Sequence, residues 1–74
     1  MARALQTHGF VAAPADRDAA LRRLRTRRAA AKAAGCRYWA FECDSQPGVF
    51  VEFFEGDDAA SVVRGRAAAG DETS

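Results

Sequence analysis

Apolar positions recur with two different periods along the 74 residues. From Arg3 to Ala13, Leu5, Phe10 and Val11 mark a short run that stops at Pro14, which predicts a strand of modest quality. Gly9 inside that run predicts weakened pairing or a bulge. Residues 19–34 then change period. They are nearly all strong helix formers, and steps of about 100° gather Ala20, Leu21, Leu24 and Ala31 on one stripe, with Arg28 inside it. Asp16 is placed to cap this helix and Asp18 adds negative charge to its first turn. Gly35 supplies the stop, with Lys32 and Arg37 near the negative end of the dipole.

Two segments of strand character follow. Arg37 to Asp44 reads RYWAFECD and Val49 to Glu55 reads VFVEFFE, separated by the turn residues Ser45, Gln46, Pro47 and Gly48. A four-residue loop pairs Asp44 with Val49 and, further down, Trp39 with Phe54. One face then carries Trp39, Phe41, Cys43, Phe50 and Phe54 with Glu52 among them. The other carries Tyr38, Ala40, Val49, Val51 and Phe53 with Glu42 among them. Both faces are apolar, yet one short helix covers only one. A partner subunit is expected to supply the missing layer.

Gly56, Asp57 and Asp58 read as a turn and N-cap. Ala59 to Ala69 reads as a second, weaker helix, with Val62 and Val63 as its apolar contacts and Gly65 as its flaw. Residues 1–70 therefore make a single α+β domain, and residues 71–74 a frayed polar tail. The order strand, helix, hairpin, helix is ferredoxin-like, β-α-β-β-α with an antiparallel sheet whose fourth strand is missing. An open sheet edge permits another chain to replace it. The segments AAKAAGCRYWAFE, QPG and VFVEFFEGDDAASV sharpen this reading. Over residues 3–64 the chain resembles the dimeric α+β-barrel proteins, in particular antibiotic biosynthesis monooxygenase-like domains. The resemblance implies a homodimer whose sheets face each other. Members of that group include cofactor-independent oxygenases of quinol-like substrates, haem degraders and proteins without known chemistry. The haem degraders use an Asn, His and Trp set. His8 and Trp39 are present here, but the chain has no asparagine, so that site is not carried over.

Composition narrows the class further. A chain this short buries little surface and leans on disulfides, metals or oligomerisation. Cys36 and Cys43 on one strand lie about 23 Å apart, too far to bridge. Free thiols suit a reducing cytosol. With His8 as the single histidine and no CxxC or HxxxH spacing, no metal and no cofactor are expected. No apolar run approaches the length of about 18 residues that a membrane span needs, and the first residues do not read as a signal peptide. A cytoplasmic protein is the expectation. Residues 1–37 hold nine Lys/Arg against two Asp/Glu, while residues 38–74 hold two against eight. The plain reading is mutual neutralisation; the sharper one is nucleic-acid binding through Arg22, Arg23, Arg25, Arg27, Arg28 and Lys32.

The candidate chemistry is sparse. Arg28 on an apolar stripe calls for a partner, Glu52 or Glu42, or serves as an anion clamp. Glu52 and Glu42 each interrupt an apolar face, where burial raises a carboxyl pKa and makes a proton acceptor conceivable. His8 is a candidate general base. The ligand-binding candidates are Arg28, Trp39 and Glu52, for a small aromatic or anionic ligand. The interface candidates are Trp39, Phe41, Phe50 and Phe54. The leading function is a small homodimeric module for interaction or small-ligand binding. The alternatives are a cofactor-independent monooxygenase-like enzyme on a flat aromatic substrate, resting on His8, Glu52, Arg28 and Trp39 with His8 and Glu52 as the catalytic candidates, and nucleic-acid binding through the basic helix.

Overall fold

The computed structural model describes residues 3–70 and has five main elements. Strand β1 spans Ala4–Val11, helix α1 Arg17–Ala33, strand β2 Arg37–Glu42, strand β3 Val49–Gly56 and helix α2 Ala59–Ala68. A single 3-10 turn, Pro14–Asp16, leads into α1. The expected polar tail at residues 71–74 lies outside the described residues. The sheet order is β1-β3-β2, with both pairings antiparallel. Strand β3 therefore sits between two strands that α1 connects, a split β-α-β unit compatible with a ferredoxin-like fold. Among the described residues no strand pairs with the outer edge of β1.

Both helices lie on the same side of this sheet. Phe50, Glu52 and Phe54 point toward them and are closed off, with exposures of 1, 0 and 0%. Tyr38 from β2, Leu24 and Ala31 from α1, Cys36, and Val62 from α2 complete the core. The Gly9 bulge does not occur: β1 pairs with β3 without interruption, from Ala4 opposite Gly56 to Val11 opposite Val49.

The ends of α1 separate two kinds of signal. Asp16 occupies the N-cap position, but its side chain makes no capping bond, because the preceding 3-10 turn already guides the chain in. The C-terminus follows the sequence closely. Gly35 adopts a φ of 85°. Its N–H donates to the Lys32 carbonyl at 3.0 Å, and the Cys36 N–H donates to the Ala31 carbonyl at 3.0 Å. This is the Schellman pattern, with the buried side chains of Ala31 and Cys36 as its apolar contact. At α2, Asp58 caps as expected, accepting from the Ser61 N–H at 2.8 Å.

The hairpin corrects the expected register. Glu42 lies opposite Phe50 and Tyr38 opposite Phe54. The Cys43 N–H donates to the Val49 carbonyl at 2.7 Å, so the loop between those residues is Asp44 to Gly48, one residue longer than expected. Side chains alternate across a strand, so one residue exchanges the two faces of β2 relative to β3. Tyr38, Ala40 and Glu42 join Phe50, Glu52 and Phe54 under the helices. Trp39 and Phe41 join Val49, Val51 and Phe53 on the other face.

Gly65 has a packing role where the sequence suggested a flaw. A Cβ there would lie 2.3 Å from the Cys36 Cβ and 2.6 Å from its Sγ. Glycine allows α2 to touch the start of β2. Alanine would raise the helix propensity by about 1 kcal/mol. The overlap costs about 1–3 kcal/mol. Gly65→Ala is therefore expected to lower the urea midpoint; a raised midpoint would contradict this packing.

Candidate functional site

Two regions carry polar chemistry or exposed apolar surface: a closed charge cluster under the helices, and the open side of the sheet with its β2 edge.

The cluster centres on Glu52, in mid-β3. Arg27 Nε donates to Glu52 Oε2 at 2.6 Å and Arg27 Nη2 to Oε1 at 3.0 Å, a forked pair. Tyr38 Oη also donates to Oε2, at 2.5 Å. Arg27 Nη1 reaches past them to the Ala69 carbonyl at 3.0 Å, satisfying the end of α2. The guanidinium also lies 5.8 Å from the Phe54 ring centroid, and that of Arg66 lies 5.9 Å from it. One buried carboxylate thereby ties α1, β2 and β3 together, and its arginine adds α2. Burial, followed by the adjacent Glu52 carboxylate, pushes the Tyr38 hydroxyl well above the usual tyrosine range. Tyr38 therefore remains a donor throughout ordinary pH. Among the described residues no buried side-chain nitrogen or oxygen lacks a partner.

The basic residue inside the helix stripe is Arg27, not Arg28. Arg27 is 5% exposed, whereas Arg28 is exposed. The signal was present in the sequence. Ala20, Leu24 and Ala31 define a stripe centre from which Arg27 lies about 40° and Arg28 about 60°, since each residue turns about 100°. Including Leu21 in the stripe pulled its apparent centre toward Arg28.

Glu42, the other carboxylate considered for Arg28, pairs with Arg17 instead. Arg17 Nη2 donates at 2.7 Å and Nε at 3.1 Å, and the Gly48 N–H adds a bond of 2.9 Å. The Arg17 hydrogen bond, with the Gly48 N–H second, holds the Glu42 carboxyl down at about 2. His8 is half-buried on the helix side of β1, directly opposite Glu52 in register, and its ring stacks on Phe10. Glu52 offers a substrate nothing: it is fully buried and three donors occupy its two oxygens. This geometry favours a structural ion pair over a proton acceptor.

Phe50 and Phe54, expected beside Trp39 and Phe41 at an interface, are core residues beneath the helices. Trp39 and Phe41 are on the open side, 43 and 57% exposed, together with Leu5 and Val11 at 58 and 76%. Phe41 meets Phe53 edge to face, with centroids 5.8 Å apart. At one end of this face Glu55 accepts from Arg3 at 2.8 Å and from Arg37 at 2.7 Å. These arginines, Arg37 first, keep the Glu55 carboxyl below its usual range. Arg28 and Trp39 line adjoining hollows between α1 and β2. Of the three ligand-binding candidates, the structure therefore brings Arg28 and Trp39 together and seals Glu52 away.

Cys36 and Cys43 are unbridged. Burial pushes the Cys36 thiol up, which makes it inert. Among the described residues no cluster of three His, Cys, Asp or Glu side chains is placed to hold a metal ion. No helix among them is long and apolar enough to cross a membrane. No protein-family model, curated protein or solved structure matches the chain.

Removing one partner of a buried ion pair costs about 3–5 kcal/mol. A surface arginine changes stability by about 0.5 kcal/mol or less. Urea titration is expected to separate Arg27→Met from Arg28→Met by that gap, and equal losses would place the wrong arginine inside. Glu42 gives a pH test. Its folded pKa lies below the ordinary 4.5, so its stabilisation is present above pH 4.5 and is lost as pH falls toward about 2. The stability difference between wild type and Glu42→Gln should shrink across that window; a constant difference would remove the ion pair from the account.

Proposed function

We propose that the chain acts by association, as a homodimer formed through the open side of its sheet. The observation that carries this reading is the exposed apolar face, with Trp39, Phe41 and Leu5 all more than two-fifths exposed. Isolated exposed apolar residues are ordinary, but a contiguous aromatic patch on a sheet face marks an interaction site. Leu5, Trp39, Phe41, Phe53 and Glu55 line one shallow depression there.

A second copy of the chain fits this face better than a strongly charged partner. The centre of the face holds aromatic, aliphatic and neutral residues, and its rim carries both signs, Arg3 and Arg37 beside Glu55. A two-fold axis brings such a rim against itself with opposite charges available on each side. The chain's formal net charge of +1 opposes self-association only slightly. Three strands about 4.8 Å apart and about 26 Å long give a platform of about 14 by 26 Å. Face-to-face contact therefore buries a few hundred Å² per partner, less than the roughly 800 Å² of a standard interface, so the contact is of the weak, transient kind. The proposed dimer is therefore weak and concentration-dependent. Such an arrangement is also what the resemblance to dimeric α+β-barrel proteins implies.

Trp39 is the single tryptophan and lies in this face, so its emission reports on the contact. Sedimentation velocity is expected to show a monomer–dimer equilibrium, with Trp39 emission moving to the blue as concentration rises. Phe41→Glu should abolish both effects while the circular dichroism stays unchanged. A wild-type monomer at every concentration, or a Phe41→Glu dimer, would contradict the proposal.

A further inference from the structure

We infer that the β2 edge, together with α1 above it, forms a docking groove for an extended acidic peptide added as a fourth strand. This site lies beside the apolar face and does not depend on dimerisation.

The backbone pattern supplies the first observation. The Cys43 N–H donates to the Val49 carbonyl, and residues alternate along an antiparallel pair. Residues 37, 39 and 41 therefore turn their backbone groups toward β3. Tyr38, Ala40 and Glu42 turn theirs outward, along an edge that pairs with no described strand. That edge offers alternating donors and acceptors over about 20 Å, the length of six residues. A peptide can satisfy both kinds of group. A phosphodiester chain has no donors for the carbonyls.

The groove supplies the second observation. Two adjoining hollows of about 420 and 400 Å³ run between α1 and β2, and share Arg28, Tyr38 and Trp39. Arg25, Arg28 and Lys32 line the helix side, and no acidic residue lines either hollow. None of these three pairs with a described carboxylate. Leu21 and Leu24 give the floor apolar character. The same cations repel a second basic edge, which disfavours pairing between two copies here. An added strand would alternate. Acidic side chains would rise toward Arg25 and Arg28, and apolar ones would extend the Trp39 side of the sheet.

The test is fluorescence anisotropy with a labelled octapeptide alternating Glu and Val, against a Lys and Val counterpart. The Glu peptide is expected to bind and to weaken at least tenfold with Arg25→Glu/Arg28→Glu. The Lys peptide should not bind. N-methylation of every second peptide amide should abolish binding in one phase and spare it in the other, a readout that leaves the protein untouched. No binding of the Glu peptide at about 1 mM, or indifference to the double substitution or to both methylation phases, would overturn the inference. A short oligothymidine that binds more tightly and responds to the same substitutions would overturn it in favour of a nucleic-acid surface.

Discussion

Everything functional in this fold depends on the register between β2 and β3. A strand shows alternate residues to opposite faces, so the pairing of Ala40 with Glu52 decides what is inside. The turn fixes it. Gly48 has a φ of 90°, and a Cβ there would lie 2.5 Å from the Ala12 carbonyl oxygen, so the loop is drawn tightly against the end of β1. The Ala12 N–H donates back to Gly48 at 2.8 Å, and Glu42 accepts from the Gly48 N–H. Arg17 then anchors Glu42 to the start of α1. A five-residue loop held at both ends leaves β2 one position to occupy.

That position creates the polar centre of the domain. Glu52 would be intolerable beneath two helices without strong donors, since an isolated buried carboxylate costs several kcal/mol. Arg27 reaches it from α1, and Tyr38 reaches it because β2 turns that side chain inward. The cluster adds little net stability, because its attraction is offset by the desolvation of both charges. The same alternation sends Trp39 and Phe41 outward and leaves one side of the sheet apolar. The Tyr38 bond to Glu52 and the exposed Trp39 and Phe41 are two consequences of one pairing.

The elements themselves were legible. The change from strand to helix period, Gly35 after an alanine-rich run and Asp58 ahead of α2 all mark local geometry, and local geometry is what sequence encodes most directly. The hairpin was also evident from its aromatic strands and QPG turn. Its faces were not, because a loop of four or five residues fits those turn residues equally and the choice inverts every side chain. Arg27 was hidden by a shallow gradient around the helix, about 20° between it and Arg28 in distance from the stripe centre. Gly65 looked like a defect because its reason is Cys36, a contact far away in sequence. Both chain halves are charged oppositely, and part of that asymmetry is spent within the domain, in the pairs Arg17 with Glu42, Arg27 with Glu52 and Arg37 with Glu55.

The register can be read directly by nuclear Overhauser spectroscopy in deuterated water. Non-hydrogen-bonded antiparallel pairs bring their α-protons together. The structure predicts strong contacts between the α-protons of Ala40 and Glu52 and of Tyr38 and Phe54. A contact between the α-protons of Trp39 and Phe54 or of Phe41 and Glu52 would mean the shorter loop. It would turn Trp39 beneath the helices and Tyr38 outward, and with it would fall the Tyr38 bond to Glu52 and the exposed Trp39 and Phe41 face.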